Sequence, residues 1–206
     1  MSPHKMCLHV ANRQQVWYMD PDPWTLPVKE AIQACSRACR YANQTERHYS
    51  VLEHSLLVAD ILQAWGCRDN VIVQGLAHDL PEGFTGDIPA PIAHHPDAQF
   101  LRDINEKLIE AFCIRFGIPY PLADAVHEAD RAAFRLEVEQ GERDGVIQCH
   151  PDMIEWYSEC PDVSGLGLKI LWLEPYLAKL LFNQRLAEMY GQDGFLEIIR
   201  GKAVSA

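Results

Sequence analysis

Hydrophobic residues recur every three or four positions along most of the chain, which is the spacing of one face of an α-helix. The pattern is clearest over residues 28–42, 98–117, 121–141 and 174–191. The alternation of apolar and polar residues that is typical of strands is almost absent. No change of composition divides the chain, so the pattern predicts an all-α, single-domain helical bundle with short connections.

The beginning of the chain differs from the rest. Residues 16–28 hold three prolines among aromatic residues, which predicts an irregular or short extended lead-in over residues 1–27. The helical domain is then expected to occupy residues 28–206 and to include the C-terminal helix. Residues 141–165 are polar and rich in Cys, Pro and Asp, and they predict no regular element.

Two further helices lie between these segments. Ser50 is a predicted N-cap, and Glu53 three positions later completes an S-x-x-E capping box. The next helix, at residues 70–80, is apolar almost all round and is therefore expected to be buried. Pro81 should end or kink it, because proline removes a backbone N–H and clashes with the preceding turn. Residues 83–92 are predicted to form a loop.

Four polar side chains lie on or beside these apolar faces: His54, His78, Asp79 and Asp130. An unpartnered buried carboxylate costs several kcal/mol or takes up a proton. Convergence on a divalent cation would remove that cost, and mixed His and Asp ligands suit Mn, Fe, Co, Zn or Mg. From the residues alone, His54 could equally be a hydrogen-bonded histidine at the edge of the core, and Asp130 a solvated helix charge.

Three segments carry a resemblance to a known family: HYSVLEHS (48–55), LAHDLPEGFTGDIPAP (76–91) and HEADRAA (127–133). Together they resemble the HD-domain metal-dependent phosphohydrolases, whose signature is H…HD…D. The similarity is strongest to small bacterial and phage 5′-deoxynucleotidases and to phage deoxynucleoside triphosphohydrolases. It covers roughly residues 28–140 and implies an HD-type helical fold.

The resemblance implies a role for each matching residue. His54, His78, Asp79 and Asp130 would be the ligands of a divalent cation, one of Co, Mn, Zn, Fe or Mg. Glu82 would be the catalytic residue that orients or deprotonates the attacking water, or that protonates the leaving oxygen.

Substrate-binding roles are implied for five further residues. Arg40 matches the arginine that binds phosphate, and Tyr41 an aromatic residue against the sugar or base. Asp87 matches the aspartate that contacts the deoxyribose, and Arg47 and His48 are further candidates facing the phosphate.

The expected activity is therefore hydrolysis of 2′-deoxynucleotides. The simplest reaction releases phosphate from deoxynucleoside 5′-monophosphates. Two alternatives stay open, namely a deoxynucleoside triphosphate triphosphohydrolase of the dATP type found in phages, and a non-catalytic HD protein that binds nucleotides.

Composition limits the partners. A net charge of −11 argues against a protein that grips long nucleic acid, although it leaves room for a small anionic substrate. No apolar run approaches the roughly 20 residues that span a bilayer, and the first residues lack a signal-peptide core. Seven scattered cysteines without a C-x-x-C pair suit free thiols in the cytoplasm.

Two expectations concern the surface. Arg102, Lys107 and Arg115 are assigned to a solvated helix face. A homo-oligomer is possible, because the apolar segment LWLEPYLAKLLF (171–182) suits either an interface or a core helix.

Overall fold

A computed structural model of the chain describes residues 6–150 and 157–201. Over these residues the protein is an all-α single domain, as predicted from the hydrophobic pattern. The lead-in is more regular than expected, because it contains an antiparallel pair of short strands, β1 (Cys7–His9) and β2 (Gln15–Trp17). The predicted limits, 1–27 and 28–206, extend into residues 1–5, 151–156 and 202–206, which lie outside the described ranges.

The α-helices that lie wholly within the described residues are, in chain order, α1 (Val28–Cys35), α2 (Val51–Ala64), α3 (Asp69–Ala77), α4 (Glu82–Thr85), α5 (Ala90–Ala93), α6 (Gln99–Phe116), α7 (Asp124–Arg143) and α8 (Pro175–Arg200). Helix α2 lies at the centre and packs against α3 and α7. Over the described residues, every helix is too short or too polar to span a lipid bilayer.

Helix α2 begins after Ser50, the predicted N-cap. Glu53, however, has a role other than the one that the predicted capping box gives it. Ser50 Oγ accepts the Glu53 N–H at 3.1 Å, which is the N-cap half of the predicted box. The Glu53 carboxylate, however, accepts the backbone N–H groups of Leu171 and Leu173, both at 2.8 Å. The glutamate therefore ties the segment before α8 to the central helix.

Helix α1 is shorter than its hydrophobic pattern suggests. It was predicted to run to residue 42, but it ends at Cys35. The chain then pairs with the segment before α2: the Arg40 N–H donates to Tyr49 O at 2.9 Å, and the Val51 N–H donates to Ala38 O at 3.0 Å. Three residues with positive φ follow, at 41–43. This long-range pairing overrides local helix propensity and holds Arg40 beside the start of α2.

Pro81 ends α3 as predicted. The helix stops at Ala77, whose carbonyl lies four residues before the proline, where the ring would clash. Pro81 itself has helical φ and ψ of −51° and −33° and leads into α4. The prediction of a loop at residues 83–92 is therefore partly wrong, because most of α4 and all but the last residue of α5 lie within this range.

Gly83 lies where α4 meets α1. A Cβ at this position would be 2.6 Å from Ala31 O and 2.9 Å from Ala31 Cα. Both neighbours are backbone atoms, which cannot move aside as a flexible side chain can. The two helices therefore approach so closely only because residue 83 is glycine.

The three basic residues that were assigned to one solvated face of α6 have different environments. Lys107 is exposed, whereas Arg102 is half-buried and donates to Ala93 O and His95 O. Arg115 contradicts the prediction, because it is only 1% exposed.

The Arg115 guanidinium connects α6 to the end of α8 and to the lead-in. It donates to Ile198 O near the end of α8 and to Pro23 O and Trp24 O in the lead-in. Helical periodicity could not reveal this role, because its three acceptors are backbone carbonyls far away in the chain.

We expect Arg115→Met to lower the free energy of unfolding by about 3 kcal/mol, since it leaves buried carbonyl groups without donors. Urea denaturation followed by circular dichroism measures this loss. Lys107→Met is the matched control on the same helix and should change little. Equal stabilities of the two variants would contradict the role given to Arg115.

Candidate metal centre

Over the described residues, three side chains form a group whose possible ligand atoms all lie within 4.8 Å of one another: His54, His78 and Asp79. Helix α2 supplies His54, and the turn that Pro81 imposes after α3 supplies the other two. Asp79 Oδ2 lies 3.2 Å from His78 Nε2 and 3.5 Å from His54 Nε2. The central helix and the α3 turn thus bring together three residues that the sequence predicts as ligands.

Both imidazole rings are oriented for a cation. His78 Nδ1 lies 2.7 Å from Gly75 O, and His54 Nδ1 lies 2.5 Å from Glu137 Oε1. These oxygen atoms accept hydrogen bonds, so each Nδ1 carries a hydrogen, and each Nε2 is the ring atom that faces Asp79. Both Nε2 atoms are buried without a hydrogen bond of normal geometry. Against burial and Arg40, Glu137 and Asp130 raise the pKa of His54 to about 10, so a cation bound at this nitrogen would displace its proton. Two imidazole Nε2 atoms beside a carboxylate fit a metal ion, and the group could hold one.

Asp79 is held in its charged form. Burial alone would raise the pKa of this carboxyl group, but the imidazoles, His78 before His54, outweigh burial and hold the pKa below its usual value. The ionised oxygen is therefore available to a cation at neutral pH.

Asp130, the fourth predicted ligand, lies on α7 beside this group. Its Oδ1 is 3.0 Å from His54 Nε2, although 44% of its side chain is exposed. The structure thus brings Asp130 to the same ring nitrogen as Asp79, from the other helix that packs on α2. Its role as a ligand stays a prediction.

Glu137 is completely buried beside the centre and was not among the predicted site residues. Besides His54 Nδ1, it accepts the Tyr41 hydroxyl at 2.6 Å and the Tyr49 hydroxyl at 2.8 Å. Burial opposes its ionisation, yet the charges of Arg40 and His54 lower its pKa to about 2. The available sequence signal was its position seven residues after Asp130, which places both on one face of α7.

Arg40 approaches the same group from the loop after α1. Its Nη1 lies 3.6 Å from Asp79 Oδ2, and its Nε lies 3.4 Å from Glu137 Oε2. Its guanidinium carbon lies 5.8 Å from the centre of the Tyr41 ring. The two residues that were predicted to bind phosphate and sugar or base therefore lie together, with the Tyr41 hydroxyl directed to Glu137.

Glu82 and Asp87 complete the predicted acidic residues. Glu82 Oε2 is buried without a partner, and burial, followed by the charge of Asp79, raises the pKa of Glu82 well above its usual value. Burial also raises the pKa of Asp87, against the opposing effect of Arg40 and a hydrogen bond from the Ala42 backbone. Both carboxyl groups therefore hold a proton more readily than in water.

Arg47 and His48 lie in the loop that follows Arg40. Arg47 is exposed, and its charge helps to lower the pKa of Asp144, after the hydrogen bonds that Asp144 accepts. His48 Nε2 lies 3.1 Å from Ser36 O, and its Nδ1 lies 3.1 Å from Cys39 Sγ. Both ring nitrogens of His48 thus have protein partners, and the predicted contact of either residue with phosphate stays a prediction.

A cleft of about 310 Å³ lies beside Glu82, between the α4–α5 segment and α6. Glu82, Thr85 and Ile88 line one side, and Leu101 and Asn105 line the other. Its volume is that of a small-molecule pocket. A larger cleft of about 410 Å³, between α2 and α8, contains none of the predicted site residues.

Comparison with known proteins gives relatives without an assigned activity. The chain is 30% identical over 160 residues to an uncharacterized protein of Rhodobacter capsulatus, in a match that covers 74% of this chain and 80% of the relative. It is 26% identical over 104 residues to the uncharacterized protein YfdR of Escherichia coli K12, covering 50% of this chain and 54% of YfdR. No family model matches.

We expect His78→Ala to weaken Mn²⁺ binding by more than about tenfold, the lower bound for losing even an outer partner of a metal ligand. Isothermal titration of chelator-treated protein measures the affinity. His95→Ala, whose ring is exposed, is the control and should bind as the native chain does. Unchanged affinity in His78→Ala would rule out a metal ion at this centre.

The raised pKa of Glu82 gives a pH-dependent prediction. Below the ordinary glutamate pKa of 4.5, the folded and unfolded chains both carry the proton. Above it the unfolded chain releases the proton first, so native Glu82 costs stability as the pH rises toward its folded pKa. Glu82→Gln, in chelator-treated protein, should therefore be more stable than the native chain at pH 7 and equally stable at pH 4.

Urea denaturation at both pH values checks this difference. The control is Glu110→Gln, which removes an exposed carboxylate from α6. If Glu82→Gln were the less stable protein at pH 7, the assigned direction of the pKa shift would be wrong.

Proposed function

We propose that the chain, which belongs to the same family as the uncharacterized protein of Rhodobacter capsulatus, is a metal-dependent phosphohydrolase of 2′-deoxynucleotides. The simplest reaction is release of phosphate from deoxynucleoside 5′-monophosphates. One observation carries the proposal: Asp79 lies at two unpaired imidazole nitrogens and also contacts Arg40. The candidate cation site and Arg40, which is the candidate phosphate clamp, thus share the carboxylate of Asp79.

His54, His78 and Asp79 would hold the cation, with Asp130 as the proposed fourth ligand. A divalent cation bound there would offset the charge of a phosphate oxygen and lower the pKa of water. The protein's own part is to fix the two rings through their Nδ1 hydrogens, so that both Nε2 atoms face the Asp79 carboxylate.

Arg40 is suited to bind the phosphate. Its contacts with Asp79 and Glu137 hold the guanidinium in place. A planar guanidinium has five N–H donors, so those not directed to these two carboxylates can bind a phosphate oxygen strongly. Among the lysines and arginines of the described residues, Arg40 is the one that contacts the carboxylates of the centre, which favours a substrate with one phosphate.

Glu82 is suited to move the proton. Its buried Oε2 has no partner, and its raised pKa keeps a proton there at higher pH than a solvated glutamate would. Such a group can donate a proton to a leaving oxygen or accept one from water.

Asp87 and the adjacent cleft support a deoxynucleoside as the remainder of the substrate. Asp87 is half-buried and close enough to Arg40 for their charges to interact, so a sugar next to the bound phosphate would be within its reach. Its carboxylate could accept a hydrogen bond from the 3′-hydroxyl. The cleft of about 310 Å³ beside Glu82 has the volume needed for a small ligand.

The test is a release assay on chelator-treated protein reloaded in turn with Mn²⁺, Co²⁺, Zn²⁺ or Mg²⁺. The substrates are deoxynucleoside monophosphates, their ribose counterparts and deoxynucleoside triphosphates. We expect phosphate release from the deoxynucleoside monophosphates. Triphosphate release would favour the triphosphohydrolase instead, and binding without release under every condition would favour a non-catalytic protein.

Glu82→Gln should retain Mn²⁺ but lose at least about 100-fold in turnover, because the group that carries the proton is gone. The exposed Glu110→Gln is again the control and should retain full activity. Loss of Mn²⁺ binding in Glu82→Gln would make Glu82 a ligand, and normal turnover would remove it from the mechanism.

A further inference from the structure

One fully buried carboxylate, Glu137, joins the two halves of the centre. Its Oε1 faces His54 Nδ1 and the Tyr49 hydroxyl, and its Oε2 faces the Tyr41 hydroxyl and Arg40 Nε. The first oxygen thus contacts a candidate metal ligand, and the second contacts the candidate phosphate clamp. Every one of these neighbours is a donor, so the carboxylate is surrounded by groups that only an acceptor can satisfy.

The Oε1 contact sets the proton position on His54. An acceptor at 2.5 Å from Nδ1 holds a hydrogen on that nitrogen, so the buried Nε2 is the ring atom that a cation can bind once it displaces the Nε2 proton. Without this acceptor the ring could carry its hydrogen on Nε2, beside Asp79 at 3.5 Å and Asp130 at 3.0 Å, which both attract it. That tautomer cannot bind a cation through Nε2.

The Oε2 contacts set the position of the clamp. Arg40 Nε lies 3.4 Å from Oε2, and the Tyr41 hydroxyl donates to the same oxygen at 2.6 Å. Both residues come from the loop after α1, where residues 41–43 all have positive φ. Such a backbone is strained in residues other than glycine, and a buried anchor on α7 offsets that strain.

We infer that Glu137 is a positioning residue that sets the cation affinity of the centre through His54 and its phosphate affinity through Arg40 and Tyr41. The phosphate half of this inference rests on the proposed function, whereas the cation half does not. Glu137 acts through its neighbours and touches neither substrate nor cation.

Glu137→Gln separates this role from simple packing, because an amide has one acceptor oxygen and one donor group. If the oxygen faces His54, the NH₂ group faces Arg40 Nε, and two donors meet. If the NH₂ group faces His54, the hydrogen moves to Nε2 and the lone pair is lost to the cation. Either orientation damages one half of the centre while side-chain volume is conserved.

The experiment measures both halves without requiring turnover. Isothermal titration gives the affinity of chelator-treated protein for Mn²⁺ alone, and of the Mn²⁺-loaded protein for inorganic phosphate. Nitrogen-15 NMR of the imidazole rings reports which nitrogen of His54 carries the hydrogen. We expect Glu137→Gln to lower at least one of the two affinities by about 10- to 100-fold. Wild-type values for both affinities, with hydrogen retained on Nδ1, would overturn the inference.

The matched control is Glu139→Gln, two residues along α7, which removes a carboxylate paired with Arg135 at 2.8 Å. It should leave both affinities unchanged. An equal loss in the control would mean that any charge change on α7 has this effect, which would also overturn the inference.

If Glu137→Gln does not fold, a second variant tests the phosphate half of the inference. Tyr41→Phe removes one donor from Oε2 and leaves the His54 contact intact, so phosphate affinity should fall while Mn²⁺ affinity stays. Equal phosphate affinity in Tyr41→Phe would contradict the phosphate half. A native chain that carries no hydrogen on His54 Nδ1 would contradict the cation half without any variant.

Failure of the proposed function has a different signature. A native chain that hydrolyses no nucleotide, but loses Mn²⁺ affinity on Glu137→Gln, would refute the phosphohydrolase and leave the cation half of the inference in place.

Discussion

The contact between Glu137 and His54, in the middle of the α2–α7 packing, is the interaction on which the centre depends. Neither side chain is exposed to solvent, so each charge or polar atom must be satisfied by the other and by the side chains around them. This constraint sets the ring of His54, and through Arg40 and Tyr41 it also sets the loop after α1. The packing of α2 against α7 therefore also determines the geometry of the site.

The charges around that contact are unbalanced. Five carboxyl groups surround the guanidinium of Arg40 and the two imidazoles, namely Asp79, Glu82, Asp87, Asp130 and Glu137. Three of them, Asp79, Asp130 and Glu137, have pKa values lowered by their cationic neighbours, whereas burial raises the pKa values of Glu82 and Asp87. An arrangement with more acid than base, and with unpaired imidazole nitrogens, is compensated most simply by a cation.

The sequence predicted what local chemistry determines and missed what distant pairing determines. Helical periodicity predicted the long helices, and Pro81 correctly predicted the end of α3. By contrast, α1 ends at Cys35 because the following residues pair with the segment before α2, and Arg115 is buried by carbonyls from both ends of the chain. Glu137 was missed for the same reason, since all four of its partners lie more than 80 residues away.

The close approach of α1 and α4 at Gly83 limits which side chains can be placed next to Glu82. Replacing Gly83 by aspartate would place a second carboxylate next to Glu82. An aspartate at 83 would bring its Cβ within 2.6 Å of Ala31 O, so α1 would have to move before that second carboxylate could enter. Since Arg40 follows α1, the same movement would displace the candidate phosphate clamp. A side chain at residue 83 would therefore change the position of α1 together with the chemistry next to Glu82, so the two cannot be varied separately at this position.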